Sequence, residues 1–277
     1  MLAAAPAHSE IFAGNRAIGR IALSVRAAAG RSRRQRVREQ GALRVRFPNG
    51  PNSDTLDAMI LNTAGGMTGG DRFAIDINVG AGARLTVTTA AAEKIYRSLG
   101  PDTGVDVTLD VGPGATLAWM PQEMILFDQV RLRRSIEVEL ARDSDFTLAE
   151  GVVFGRSAMG ETVLRGNFFD RWRVRADGAL IFAESLRLDG AIAEKLARRA
   201  VAGGSVAIAS VLKYPADESK VTAVRALEKT FAGEVGVSAW NGLMLARLVA
   251  PDGAALHRDL IGVLTAFGAP LPRLWLN

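Results

Sequence analysis

The chain contains no cysteine and only two histidines, His8 and His257. The first absence excludes disulfides, thiolate nucleophiles, zinc fingers and iron–sulfur clusters. The second nearly excludes an imidazole metal site, so any metal chemistry must lean on carboxylates and water, which hold transition ions loosely. Aromatic residues are 6% of the sequence, few for a cleft that grips sugars or stacks bases. The longest apolar stretch, VAGGSVAIASVL at 201–212, is broken by glycine and falls short of the ~20 residues that span a bilayer. The opening MLAAAPAHSEIFAG lacks the basic and apolar regions of a secretory signal. The cytoplasm is therefore the expected compartment, with no membrane partner.

What is present describes a folded chain. Hydrophobic residues at 48% and charged residues at 23% sit near globular averages, and 277 residues are enough to bury a substantial core. Net charge is +5, with Arg16, Arg20, Arg26, Arg31, Arg33, Arg34, Arg36, Arg38, Arg44 and Arg46 crowded near the start. Such a run can mark nucleic acid or an acidic protein. Here the arginines alternate at several points with apolar residues, as on the wet face of strands, and no stacking aromatics are interleaved. Nucleic acid is not the expected partner.

The dominant period from about residue 20 to 190 is two. Phe73, Ile75, Ile77 and Val79 alternate with polar or small residues, as do Val105, Val107, Leu109 and Val111, and Ile136, Val138 and Leu140; these are half-buried strands. Two of the runs end in related turns, VGAGA at 79–83 and VGPGA at 111–115, whose glycines permit positive φ. Each turn leads into a further strand and then an acid, Glu93 or Glu123. A third copy, DSDFTLAEGVVFG, keeps the strand and Glu150 without the glycine turn. A recurrence of about 30 residues is what stacked, β-helical layers produce, although consecutive hairpins also fit.

After about residue 190 the period lengthens. Asp217 is a plausible cap for a helix carrying Val221, Val224, Leu227 and Phe231, closed at Gly233; a second helix begins near Asp252, carries Leu256, Leu260, Leu264 and Phe267, and ends at Gly268. Between them GVSAWNGLMLARLVA reads as a strand or strand pair. The expected architecture is mainly β, with stacked strands of β-helix-like character plus two α-helices in the C-terminal third. No linker divides it: a single domain is expected over 1–277, with a β-rich body at about 15–215 and a helix-containing part at about 216–277.

The most conspicuous local feature is LNTAGGMTGGDR at 61–72. A phosphate-binding loop needs Lys-Ser/Thr after its last glycine, and a dinucleotide turn needs a helix to follow. Here Asp71 and Arg72 follow, then an alternating strand. The cluster is read as a tight turn with close backbone packing. The acids near strand ends, Asp71, Glu93, Glu123, Glu150, Glu161 and Glu184, leave a carboxylate-dependent, carbohydrate-active β-helix enzyme as an alternative. Lys94, Tyr96 and Arg97 could form a reactive cluster, without an accompanying nucleophile pattern. Arg156 and Glu161 bracket a turn that an ion pair would close.

LNTAGGMTGGD, AAAEKIYRS, WMPQEMILFD, GRSAMGE and AESLRLDG follow one another in the order and approximate spacing of the UreD family, also called UreH, the urease accessory proteins. The chain resembles that family from about residue 15 to its C-terminus. Its motif positions here are Gly65, Gly66, Gly69, Gly70, Lys94, Tyr96, Arg97, Gln122, Glu123, Gly155, Arg156, Gly160 and Glu161. One departure is Glu93, where relatives commonly carry a small hydroxyl residue. The resemblance implies a mostly β fold with two helices. It also implies a non-enzymatic scaffold that binds UreF, and UreG through UreF, and docks them on apo-urease for nickel insertion. It implies no permanent cofactor but transient passage of nickel through an internal channel, whose acids carry over to Asp71, Glu150 and Glu184. The late helices, with Trp240, Phe267 and Trp275, are candidate partner contacts or core.

Overall fold

The computed structural model of the protein describes residues 15–48, 54–156 and 159–276; His8 lies outside them. In chain order the strands are β1 (Ile18–Ala28), β2 (Arg31–Gly41), β3 (Leu43–Arg46), β4 (Leu56–Asn62), β5 (Arg72–Val79), β6 (Arg84–Thr89), β7 (Glu93–Ile95), β8 (Thr103–Val111), β9 (Thr116–Trp119), β10 (Met124–Leu126), β11 (Val130–Leu140), β12 (Asp145–Phe154), β13 (Arg165–Ala176) and β14 (Ala179–Ala191). A short helix α1 (Ile192–Leu196) follows, then β15 (Ala207–Tyr214), α2 (Glu218–Ala226), β16 (Glu234–Trp240), β17 (Leu243–Ala250) and α3 (Gly253–Ala266).

From β4 to β13 the chain winds as a β-solenoid of about four turns, each turn placing one strand in each of two facing sheets. The first sheet runs β14-β13-β11-β8-β5-β1-β2, and the second runs β16-β17-β15-β12-β9-β6-β4-β3. Their central strands are parallel and in register: Arg72 pairs with Gly104 as Arg84 pairs with Thr116. The glycine turns stack as the recurrence of about 30 residues predicts, with the Gly82 amide donating to the Pro113 carbonyl at 2.9 Å. In the third turn, where glycine is lost, Ala141 to Ser144 bridges the sheets, and the Ser144 hydroxyl donates to the Ala141 carbonyl at 2.6 Å. A third, short ladder joins β7 to β10 and β10 to β12.

Alternation decides which side chains fill the solenoid. Phe73, Ile75 and Ile77 of β5, Val105, Val107 and Leu109 of β8, and Ile136 and Val138 of β11 point between the sheets and are buried. Each such side chain contributes about 1.5–3 kcal/mol. Their neighbours on the same strands face water. Strand β12 instead is buried at every position from Phe146 to Val152, because α2 and α3 cover the outer side of the second sheet. Gly151 lies where a Cβ would touch Leu256 and Leu260 of α3.

Both late helices are present, each capped by its expected aspartate: Asp217 accepts the Ser219 amide at 2.9 Å and Asp252 accepts that of Ala255 at 2.8 Å. The second runs to Ala266, with Gly268 at φ +70. The first ends at Ala226, short of the expected Phe231. Asp259, buried on α3, accepts the amides of Ala232 and Gly233 at 2.9 and 2.8 Å; this draws the chain out of the helix and into β16. The segment between the helices is a strand pair, closed by Asn241 and Gly242 at φ 48 and 77. Phe267 and Trp275 are core, whereas Trp240 is 39% exposed.

Candidate functional site

Parity brings three charged side chains into the space between the sheets. Arg134 sits between Leu132 and Ile136 on the inward face of β11, Glu150 between Leu148 and Val152 on β12, and Asp170 between Phe168 and Trp172 on β13; all three are buried. Arg134 binds Asp170 with two parallel bonds, Nε to Oδ1 at 2.9 Å and Nη2 to Oδ2 at 2.5 Å, the strong fork geometry of guanidinium and carboxylate. Its remaining Nη1 donates to Glu150 Oε2 and approaches the Met124 sulfur. Two indoles complete the shell: Trp119 Nε1 donates to Glu150 at 2.8 Å and Trp172 Nε1 to Asp170 at 3.0 Å.

One guanidinium thus faces two carboxylates in a dry interior. Burial opposes the charge on Arg134, but attraction to Asp170 and Glu150 outweighs it and raises its pKa above the usual arginine range. Burial pushes the Glu150 carboxyl up, against the pull of Arg134 and the Trp119 N–H. Glu184, on β14, adds a third carboxylate. Its Oε1 accepts from Arg247 at 2.8 Å, while its Oε2 is buried with no hydrogen-bond partner among the described residues, a costly position for a carboxylate oxygen.

These residues line a row of cavities that share walls. A space of about 170 Å³ beside Arg247 and Leu196 meets one of about 30 Å³ at Glu184, and the latter is lined by Arg134, Glu150 and Asp170 as well. Arg134 and Glu150 also wall an interior space of about 70 Å³ that reaches Met67, Trp119 and Glu93. Glu93, Ile60 and Thr89 in turn border a recess of about 240 Å³ beside Asn62, Gly66 and Lys94. Glu93 Oε1 accepts from Asn62 Nδ2 at 3.0 Å, and burial raises its pKa to about 7, against that hydrogen bond. Among the described residues no three His, Asp or Glu side chains converge as a metal-binding group.

Of the three acids carried over from the family, Glu150 and Glu184 line the same small cavity. Asp71 lines none of these four spaces; its carboxylate accepts the amides of Ala17 and Thr68, both at 2.8 Å, and so fastens the glycine turn to β1. The turn packs backbone against backbone. A Cβ on Gly66 would meet the Tyr96 ring at 2.4 Å, and one on Gly69 would meet Ser98 Oγ at 1.8 Å. Gly65 and Gly70 hold positive φ beside them. The Met67 amide donates to the Lys94 carbonyl and the Tyr96 amide to that of Met67; Tyr96 Oη donates to Gly65 O and Thr68 to Arg97 O. The side chains of Lys94 and Arg97 are exposed.

The other motif positions are structural contacts as well. Gln122 donates to the Leu274 carbonyl, and Glu123 lies 2.8 Å from His257 Nδ1, so this motif ties down the C-terminal segment that buries Trp275. Arg156 pairs with Glu161 at 2.6 Å and lies over the Phe127 ring, with Gly155 and Gly160 at positive φ on either side of the turn. Sequence reasoning missed Arg134 and Asp170. Their signal is parity, since RLRRSIEV and NFFDRWRV each put a charge where the alternation demands a hydrophobe.

A family model described as UreD urease accessory protein matches residues 17–276. The chain belongs to the UreD family. It is 54% identical to the urease accessory protein UreD of Rhodopseudomonas palustris strain BisA53 over 269 residues, which cover 97% of this chain and 94% of that protein. Strain HaA2 has a UreD that is 54% identical over 272 residues, 98% and 97% of the two chains. The UreD of Bradyrhizobium diazoefficiens is 50% identical over 269 residues, 97% of each. As a member of this family, the chain has a role in urease maturation. No helix among its described residues is long and apolar enough to cross a membrane.

Proposed function

We propose that this member of the UreD family is a non-catalytic scaffold that binds UreF, and UreG through UreF, docks the assembly on apo-urease, and passes Ni²⁺ as cargo through the solenoid. The observation that supports conduction is the row of cavities walled by Glu184, Glu150 and Asp170, and Glu93. A conduit must attract a divalent cation and release it again, and isolated carboxylates do this better than a closed ligand cage. Glu184 Oε2, which has no donor among the described residues, is the first contact on this path. Arg134 holds the place of a cation between Glu150 and Asp170; an arriving ion competes with it for the same oxygens. Asp71 takes the role of a turn fastener.

Co-expression of this chain with UreF, UreG and apo-urease, with urease activity read at limiting nickel, tests both parts. Glu184→Gln and Glu150→Gln are expected to lower activation at limiting nickel, to recover at excess nickel, and to leave co-purification with UreF intact. Unchanged activation at limiting nickel would remove the conduit. Failure of the wild-type chain to co-purify with UreF would remove the scaffold.

A further inference from the structure

Strand β2 is poorly explained by folding. It is the edge of its sheet, paired only with β1 among the described residues, and of its eleven residues only Ser32 is buried. Its sequence, RSRRQRVREQG, would scatter arginines over both faces if it alternated without interruption. A bulge prevents this. Val25 pairs with Arg34 but Ser24 pairs with Arg36, so Gln35 is the extra residue and the parity resets after it. Ala28, Arg26, Ser24 and Ala22 on the outward face of β1 therefore oppose Arg31, Arg33, Arg36 and Arg38. All four arginines share one face, in a row about 20 Å long, the span of Ala28 to Ala22 opposite them at ~3.3 Å per residue.

The row lacks counter-charges. Arg26, Arg31, Arg33, Arg36 and Arg38 have no ion pair among the described residues, whereas Arg34, on the other face, lies over the Phe47 ring and Glu39 there pairs with Arg46. Arg26 and Arg33 are direct cross-strand partners, an arrangement of like charges that destabilises a hairpin. Beside this row runs the strand edge. The Ser32 amide on it donates to the Asp54 carbonyl at 3.0 Å, and from Arg33 onward the outward N–H and C=O groups have no backbone partner among the described residues, which makes that stretch a template for another strand. The only acid before residue 15 is Glu10, so that part of the chain does not match the charge. The outward face of the hairpin carries no aromatic residue, which removes the stacking platform of a single-stranded nucleic-acid site.

We propose that the free edge of β2 is a docking strand for an acidic polypeptide segment, which adds alongside it and sets its carboxylates against Arg31, Arg33, Arg36 and Arg38. Main-chain bonds supply the pairing, and the arginine row supplies its charge selectivity. This surface lies outside the cavity row and does not depend on nickel conduction.

Fluorescence anisotropy on the full chain tests it, with a labelled nine-residue peptide of alternating threonine and glutamate. The wild type is expected to bind this peptide and to lose affinity steeply with salt. Binding should weaken tenfold or more for Arg33→Glu/Arg36→Glu, and by a similar factor when alternate peptide amides are N-methylated to block sheet extension. The same peptide with lysine for glutamate should not bind the wild type. Arg33→Gln/Arg36→Gln, with an unchanged thermal melt, guards against misfolding and should fall between the two. Equal affinity for the N-methylated peptide, tighter binding to duplex DNA than to the peptide, or an arginine-dependent dimer of the chain alone would each overturn the proposal.

Discussion

Replacing Glu93 by glutamine isolates one proton. The folded state raises this carboxyl from 4.5 to about 7, so between those values the native protein holds a proton that the unfolded chain has released. Stability from this group is therefore greatest below pH 4.5, declines as pH rises to about 7, and is level above it. At 1.36 kcal/mol per unit the full loss is at most ~3 kcal/mol. Glutamine keeps the shape and can still accept from Asn62, but it cannot ionise. Glu93→Gln should match the wild type at pH 4.5 and exceed it by up to ~3 kcal/mol at pH 8, equivalent to ~6 °C in Tm for a chain of this size. Urea denaturation of both proteins at the two pH values measures this, since other titrating groups cancel in the difference. A variant-minus-wild-type difference that stays constant within about 0.5 kcal/mol between pH 4.5 and 8 would refute the account of Glu93.

Arg134→Met leaves Glu150 and Asp170 facing each other with only indole donors, and should cost ~3–5 kcal/mol, more at pH 8 than at pH 5 because acid can neutralise the abandoned carboxylates; a loss below about 1 kcal/mol in urea denaturation would contradict the buried-triad geometry. Gly69→Ala drives a Cβ into Ser98 and the Pro101 carbonyl and should cost ~1–3 kcal/mol. Gly100→Ala, where nothing lies within 4 Å, serves as a near-neutral control in the same thermal melts. Asp252→Ala removes the cap of α3 and should lower stability by ~1 kcal/mol; an unchanged Tm would mean that tertiary packing alone holds that end.

The strands and the glycine turns between them were legible in the sequence, because a two-residue period and a repeated turn are local signals that need no partner to be read; that the strands stack in parallel rather than pair as consecutive hairpins was left to the register between layers. The sequence also placed both caps, Asp217 and Asp252, whose side chains bond amides two or three residues away. The five ordered motifs pointed to the family, although most of their residues prove to hold backbone turns and the C-terminal segment together. The tertiary structure alone decided which acids share a space. Glu150 and Glu184 are separated by 34 residue positions and sit on different sheets, and only the winding of the solenoid brings them to one cavity, while Asp71, in an equally conspicuous motif, is taken by two amides. Arg134 and Asp170 were legible as breaks in the alternation, but their pairing was not, since it depends on the register of β11 against β13. The end of α2 was likewise set from outside, by Asp259 on another helix. Periodicity is a property of a strand; a site is a property of how strands are stacked, and the register that stacks them arises from contacts between distant residues.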